Sequence, residues 1–235
     1  MVDNNGTFEM SEITQISADS CEIAIGGAGN PHAAIEALCG QLLDLYDSPV
    51  KLVVFRGSGD DFYSAKAPEN QIDPKDRFAC NKQVELLSDI LSKAPFFSLS
   101  LVNGRVDDIG ADIAVACDWR LVSDTSQFCF VSHRRCEDVT SATRLSELIG
   151  SSKAFDTILR RRSIAAQEAI TIGLAMPVAP QEDAVQTIET HVEKIKKESI
   201  TIMRRAVRNA FSNDSDVERI VGSLAAAKTI DVAPI

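Results

Sequence analysis

The stretch that most constrains this chain is Val102 to Ser123, VNGRVDDIGADIAVACDWRLVS. Phe97, Leu99 and Leu101 lead into it with period-two spacing and stop at Asn103-Gly104, a turn pair. Ile113 to Ala116 then gives a compact apolar turn of helix, and Trp119 and Leu121 resume the alternation. A strand end, a tight glycine turn, a short helix and another strand are therefore expected in one stretch. A turn of this kind can aim backbone N–H groups at a ligand.

Strand and helix alternate through the rest of the sequence as well. Cys21–Ile25 reads as a strand; Asn30 is placed to cap the next helix, Pro31 to begin it, and Ile35, Leu38, Leu42 and Leu45 to form its buried face. Lys51–Phe55 reads as a buried strand that ends at Gly57-Ser-Gly-Asp-Asp61, and Arg77–Ser92 as a helix presenting Val84, Leu87 and Leu91 before Pro95. Ser126–Val131 is expected to be a strand. Val139–Ile149 and Ser152–Arg162 read as helices parted by Gly150 with a serine at the restart, and Ala165 to Ile172 as a short helix closed by Gly173. Beyond the strand-like LAMPVAP, residues 183–211 read as one amphipathic helix. Ile188, Val192, Ile195, Ile202 and Ala206 would form its inner face, and Lys194, Lys196, Lys197, Arg204, Arg205 and Arg208 a basic outer face.

This order predicts an α/β fold of stacked ββα turns more than a single open sheet. Residues 1–12 are expected to be a disordered tail, 13–182 the core and 183–235 a helical C-terminal region. The net charge of −10 repels phosphate backbones, so no nucleic-acid partner is expected. No apolar run reaches the length of a membrane span, and MVDNNGTFEMSE has neither a basic nor an apolar signal region, which points to a cytoplasmic protein without a membrane partner. Cysteines 21, 39, 80, 117, 129 and 136 form no C-x-x-C pair and no zinc-like spacing with histidine; they are expected to be buried free thiols, with no metal site.

Three blocks carry a resemblance. KLVVFRGSGDDFYSA, VNGRVDDIGADIAVACDWRLVS and ELIGSSKAFDTILRRRSIAAQEAITIGLAMPVAP together resemble the crotonase, or enoyl-CoA hydratase/isomerase, superfamily. That resemblance implies a crotonase-like spiral of ββα units with C-terminal helices used in trimerisation, as a homotrimer or a hexamer. It implies an acyl-thioester substrate and no prosthetic group, with coenzyme A or phosphopantetheine entering as part of the substrate. It also implies two backbone N–H donors that hold the thioester carbonyl as it becomes an enolate. In a dry site such a donor contributes about 3–4 kcal/mol.

By position, the resemblance puts the first donor at Ser64, with Ala65, Lys66 and Ala67 following it along the ligand. Ala65 stands for a glycine and Ala67 for an acidic residue of the family pattern. The second donor falls at Ile109, where Asp107-Asp108-Ile109-Gly110 replaces an apolar residue and three glycines. Asp107 or Asp108 could cap the short helix or face the pocket. Of the two glutamates of the hydratases, Asp112 matches the first, and Ser132, followed by His133, stands where the second is expected. His133 could serve as a second acid or base, or sit in a solvated basic loop with Arg134 and Arg135. Lys66 could meet a phosphate or carboxylate of the ligand, and Arg160-Arg161-Arg162 and the basic face near Lys196 coenzyme A phosphates, or all could simply be solvated.

A simple hydratase is disfavoured, because water addition uses both acids. The expectation is a lyase, dehydratase, isomerase or decarboxylase step through an enolate, in a setting such as polyketide biosynthesis, with a carrier protein or partner enzyme a candidate associate. The alternative is a catalytically weakened homologue acting as an accessory or structural subunit of a partner enzyme.

Overall fold

A computed structural model of the chain describes residues 13–26, 31–57, 59–63, 74–131, 141–177 and 181–209. The chain opens with β1 (Ile13–Gln15) and β2 (Ser20–Ile25), which pair antiparallel. Helix α1 (Pro31–Asp44) follows, tightened at its end by a 3-10 turn over Leu45–Asp47, and leads to β3 (Leu52–Gly57). Helix α2 (Pro74–Lys93) and β4 (Phe97–Val102) complete a second strand–helix–strand crossover, with β2, β3 and β4 all parallel.

The predicted turn at Asn103-Gly104 is present, with Gly104 at φ +56°. The structure adds a strand there, β5 (Arg105–Asp107), before α3 (Ile109–Ala116) and β6 (Trp119–Val122). Helix α3 starts at Ile109 rather than Ile113, because Asp108 takes a positive φ of 45° and turns the chain there. Strand β7 (Gln127–Cys129), α4 (Ala142–Ile149), α5 (Ser151–Leu159), β8 (Ile164–Ala165), α6 (Ala166–Thr171) and β9 (Met176–Pro177) follow. Gly150 takes positive φ between α4 and α5, and no side chain caps the restart. The strands form a six-stranded sheet in the order β1-β2-β3-β4-β6-β9 and a three-stranded sheet in the order β5-β7-β8.

Strand β3 shows how the sheet is held. Successive side chains point to opposite faces, so Val53 and Phe55 enter one core and Leu52 and Val54 another. The larger core gathers Ile35, Leu38 and Leu42 of α1, Val84, Leu87 and Leu91 of α2, and Ala114 and Val115 of α3. The smaller core is closed by Val192 and Ile200 from the C-terminal helices. A parallel strand covered on both faces reads as a continuous apolar run, which is why LVVF shows no alternation. Each such side chain contributes about 1.5–3 kcal/mol on burial.

The C-terminal region corrects the sequence reading in two ways. The single expected helix is two: α7 (Gln181–Glu193) and α8 (Lys197–Asn209). No proline or glycine marks the break; Lys197 at its edge donates to the carbonyls of Leu45, Tyr46 and Ser48, at the carbonyl end of α1 and its 3-10 turn. The expected basic outer face is also divided. Lys194, Lys196 and Arg205 are exposed, whereas Arg204 is buried and Arg208 nearly so. Both grip Asp118, Arg204 Nε at 2.8 Å and Arg208 Nη2 at 2.9 Å. Arg204 also donates to the carbonyls of Leu91 and Ala94, and Arg208 to that of Ala116. Helix α8 is thereby fastened to the carbonyl ends of α2 and α3, where cations are favoured.

The five described cysteines, 21, 39, 80, 117 and 129, are buried and in no disulfide; Cys136 lies outside the described residues. Burial pushes the Cys21 and Cys39 thiols up to about 11, with Glu36 adding to the rise at Cys39. Among the described residues no helix is long and apolar enough to cross a membrane, and no cluster of His, Cys, Asp and Glu is gathered as a metal site.

Candidate active site

The site is built from the turn at Asn103-Gly104. Asn103 Nδ2 donates to the carbonyls of Gly59 and Asp60 at 3.1 and 2.9 Å, and Asp61 Oδ1 accepts from the Arg105 N–H at 2.9 Å. The N–H of Phe62 in turn reaches the carbonyls of Asn103 and Arg105. These bonds hold the loop after β3 against the turn, and Tyr63 then pairs with Val106 in a parallel bridge. A side chain on Gly104 would collide with the Asp60 carbonyl, so the turn requires glycine for both its φ and its space.

The same turn delivers the chain to α3. The Asp108 N–H donates to the Cys129 carbonyl at 2.8 Å, while its side chain makes no capping hydrogen bond to the helix. Capping, the first of the two readings of Asp107 and Asp108, is therefore not what Asp108 does. The Asp107 carboxylate pairs with Arg105 at 3.2 Å. Burial first, and then the nearby charges of Asp107 and Asp108, raise the Cys129 thiol. Ile109, free of the positive φ that Asp108 has taken, opens the helix, and the N–H groups of a first turn have no partner within the helix.

Gly110 shows why only this glycine is kept. A Cβ placed there would lie 2.6 Å from Tyr63 Cβ, so this close approach of the first turn of α3 to Tyr63 requires glycine. Asp112 lies in that first turn, wholly buried, and accepts a hydrogen bond from Ser141 Oγ at the start of α4. Sequence reasoning missed Ser141 and Tyr63. Ser141 is 29 residues from Asp112, so no local pattern links them, and Tyr63 follows the polar Gly57-Ser-Gly-Asp-Asp61 loop with no periodicity to single it out.

The structure brings Ile109 and Asp112 together in one helical turn beside Tyr63. Ser64, Ala65, Lys66 and Ala67, and likewise Ser132 and His133, lie outside the described residues, as does the expected cap Asn30. Arg160 and Arg162 are exposed and paired, with Asp156 and Glu168 respectively at 2.8 and 2.6 Å.

At the other end of α3, Asp118 accepts from the N–H and hydroxyl of Ser98 and from Arg204 and Arg208. Burial alone would raise this carboxyl; the two guanidinium groups and the Ser98 bonds outweigh it and hold it below the usual range. Arg120, beside it, donates to the carbonyls of Leu174 and Cys117, and burial pulls its guanidinium down to about 10. Asp118 holds structure through these contacts, and Trp119 packs on Phe97.

Comparison with known proteins joins these observations. The family model described as enoyl-CoA hydratase/isomerase matches residues 33–231. Ethylmalonyl-CoA decarboxylase of Rattus norvegicus is 31% identical over 146 residues, 60% of this chain and 46% of that protein, and the Bos taurus protein of the same name is 28% identical over 143 residues. These matches span about half the length of the curated relatives. Enoyl-CoA hydratase from Bacillus anthracis shares the fold with a TM-score of 0.81 at 18% identity, covering 93% of this chain and 90% of that one. A Thermobifida fusca protein solved in complex with acetoacetyl-CoA gives 0.72 at 22% identity, covering 93% and 94%. The fold, the glycine-dependent turn and the matched family model have one reading: the chain is a divergent member of the enoyl-CoA hydratase/isomerase family, the crotonase superfamily.

Proposed function

We propose that the chain binds an acyl thioester of coenzyme A or of a carrier protein at the N-terminus of α3 and stabilises an enolate at its thioester carbonyl. The reading is carried by one observation: Gly110, next to the Ile109 that begins α3, packs on Tyr63, the residue before Ser64, with Asp112 in the same turn. The N–H groups of Ile109 and Ser64 would be the two donors, each contributing about 3–4 kcal/mol to the enolate.

Within the family's chemistry, decarboxylation suits this donor and acid set best. A 2-carboxyacyl thioester loses carbon dioxide, and the electron pair of the broken bond passes to the thioester oxygen as an enolate. The α-carbon then takes one proton, which Asp112 would deliver. No water needs activating, so Ser132 in place of a second carboxylate is no obstacle. The likeness to ethylmalonyl-CoA decarboxylases over part of their length supports the same choice. His133 would be a second proton carrier, and Lys66 and its neighbours Ala65 and Ala67 would line the thioester. A trimer or hexamer built through the C-terminal helices belongs to the same proposal, with mass under native conditions as its test.

Offered a 2-alkylmalonyl thioester in deuterium oxide, the protein is expected to release carbon dioxide and leave one deuterium on the α-carbon. Neither release nor α-exchange with any acyl thioester would sink the proposal. Asp112→Asn is expected to slow turnover about 10²–10⁴-fold with folding intact. The complete burial of Asp112 behind Ser141 favours a second reading, an accessory subunit without chemistry of its own. Unchanged output of a coupled partner enzyme with the Asp112→Ala variant would select it.

A further inference from the structure

Tyr63 is 5% exposed, and its hydroxyl has no hydrogen-bond partner among the described residues. A buried donor without an acceptor is unfavourable, and phenylalanine would fill the same space without that cost. The ring is rooted against α3: a Cβ on Gly110 would lie 3.3 Å from Tyr63 Cγ and 3.4 Å from Cδ1. It lies near Cys80 of α2, whose charge, after burial, adds to the upward push on the phenol. The hydroxyl therefore stays neutral and able to donate. Tyr63 precedes Ser64 in the chain and packs on Gly110, the residue after Ile109.

We infer that Tyr63 is a specificity residue whose hydroxyl donates to an oxygen acceptor, a ketone or carboxylate oxygen, carried on the acyl group of the thioester. The inference rests on the acyl-thioester reading above. A plain alkyl chain would leave the hydroxyl as unpartnered as it is in the free protein, whereas an oxygenated chain completes it.

The test uses three acyl groups of equal chain length, acetoacetyl-, succinyl- and butyryl-CoA, titrated by calorimetry into the full chain and into Tyr63→Phe. Acetoacetyl- or succinyl-CoA should bind about tenfold more tightly than butyryl-CoA, the preferred one identifying the acceptor as ketone or carboxylate. Tyr63→Phe should erase that preference, leave butyryl-CoA binding unchanged and keep the unfolding midpoint within reach of the parent's. No preference in the parent, or the same preference in Tyr63→Phe, overturns the inference. Failure of all three to bind the parent overturns the acyl-thioester reading itself.

Discussion

The two ends of α3 are built on opposite plans. At the carbonyl end, Asp118 is held by Ser98, Arg204 and Arg208, and Arg120 gathers further carbonyls, so partners from β4 and α8 converge on a few buried atoms. At the amino end, Asp108 carries a positive φ, its side chain does not cap the helix, and contact with the loop after β3 runs through a glycine. The difference teaches how the site is positioned. A helix of eight residues has little stability of its own, and it is fixed at the end away from the proposed thioester site.

The largest expected effect breaks the anchored end. Arg204→Ala leaves the Asp118 charge and the carbonyls of Leu91 and Ala94 without their main donor, and should lower stability by about 3–5 kcal/mol in urea unfolding. A loss below about 1 kcal/mol would show that α8 is not the anchor. The same contact has a pH signature. The folded Asp118 carboxyl is held below its unfolded value of about 3.9, so its stabilisation is complete above that pH and fades as pH falls towards the folded value. Stability of the parent should therefore drop on acidification below about pH 4, and Arg204→Ala should lose less over that window.

Legibility in sequence follows the same division. The strands and helices were readable because their signals are local: the apolar run of β3, the heptad-like face of α2 and the glycine turn before β5. The inward turn of Arg204 and Arg208 was not, since a basic stripe looks alike whether it faces water or a distant carboxylate. Neither was the break between α7 and α8, which no proline or glycine marks and whose edge residue, Lys197, is tied to the end of α1. At the amino end the positions of Ile109 and Asp112 came from resemblance, and Ser141 was hidden because its partner is remote in the chain.

An intermediate effect tests the contact at the amino end. Gly110→Ala forces a methyl against Tyr63 and should cost about 1–3 kcal/mol, with catalysis impaired beyond what the stability loss explains. A variant as stable and active as the parent would mean that α3 and the loop are not in close register. The smallest effect concerns Asp108. Asp108→Gly relieves a φ that side chains rarely adopt and should raise stability by about 1 kcal/mol, whereas a loss would show that the carboxylate holds the turn.

The central claim is that α3 is anchored at its far end so that its first N–H groups receive a thioester carbonyl. A crystal structure with bound acetoacetyl-CoA tests it directly. The account predicts the thioester oxygen about 2.7–3.1 Å from the N–H groups of both Ile109 and Ser64. A thioester seated elsewhere, or those two N–H groups pointing apart, would contradict it.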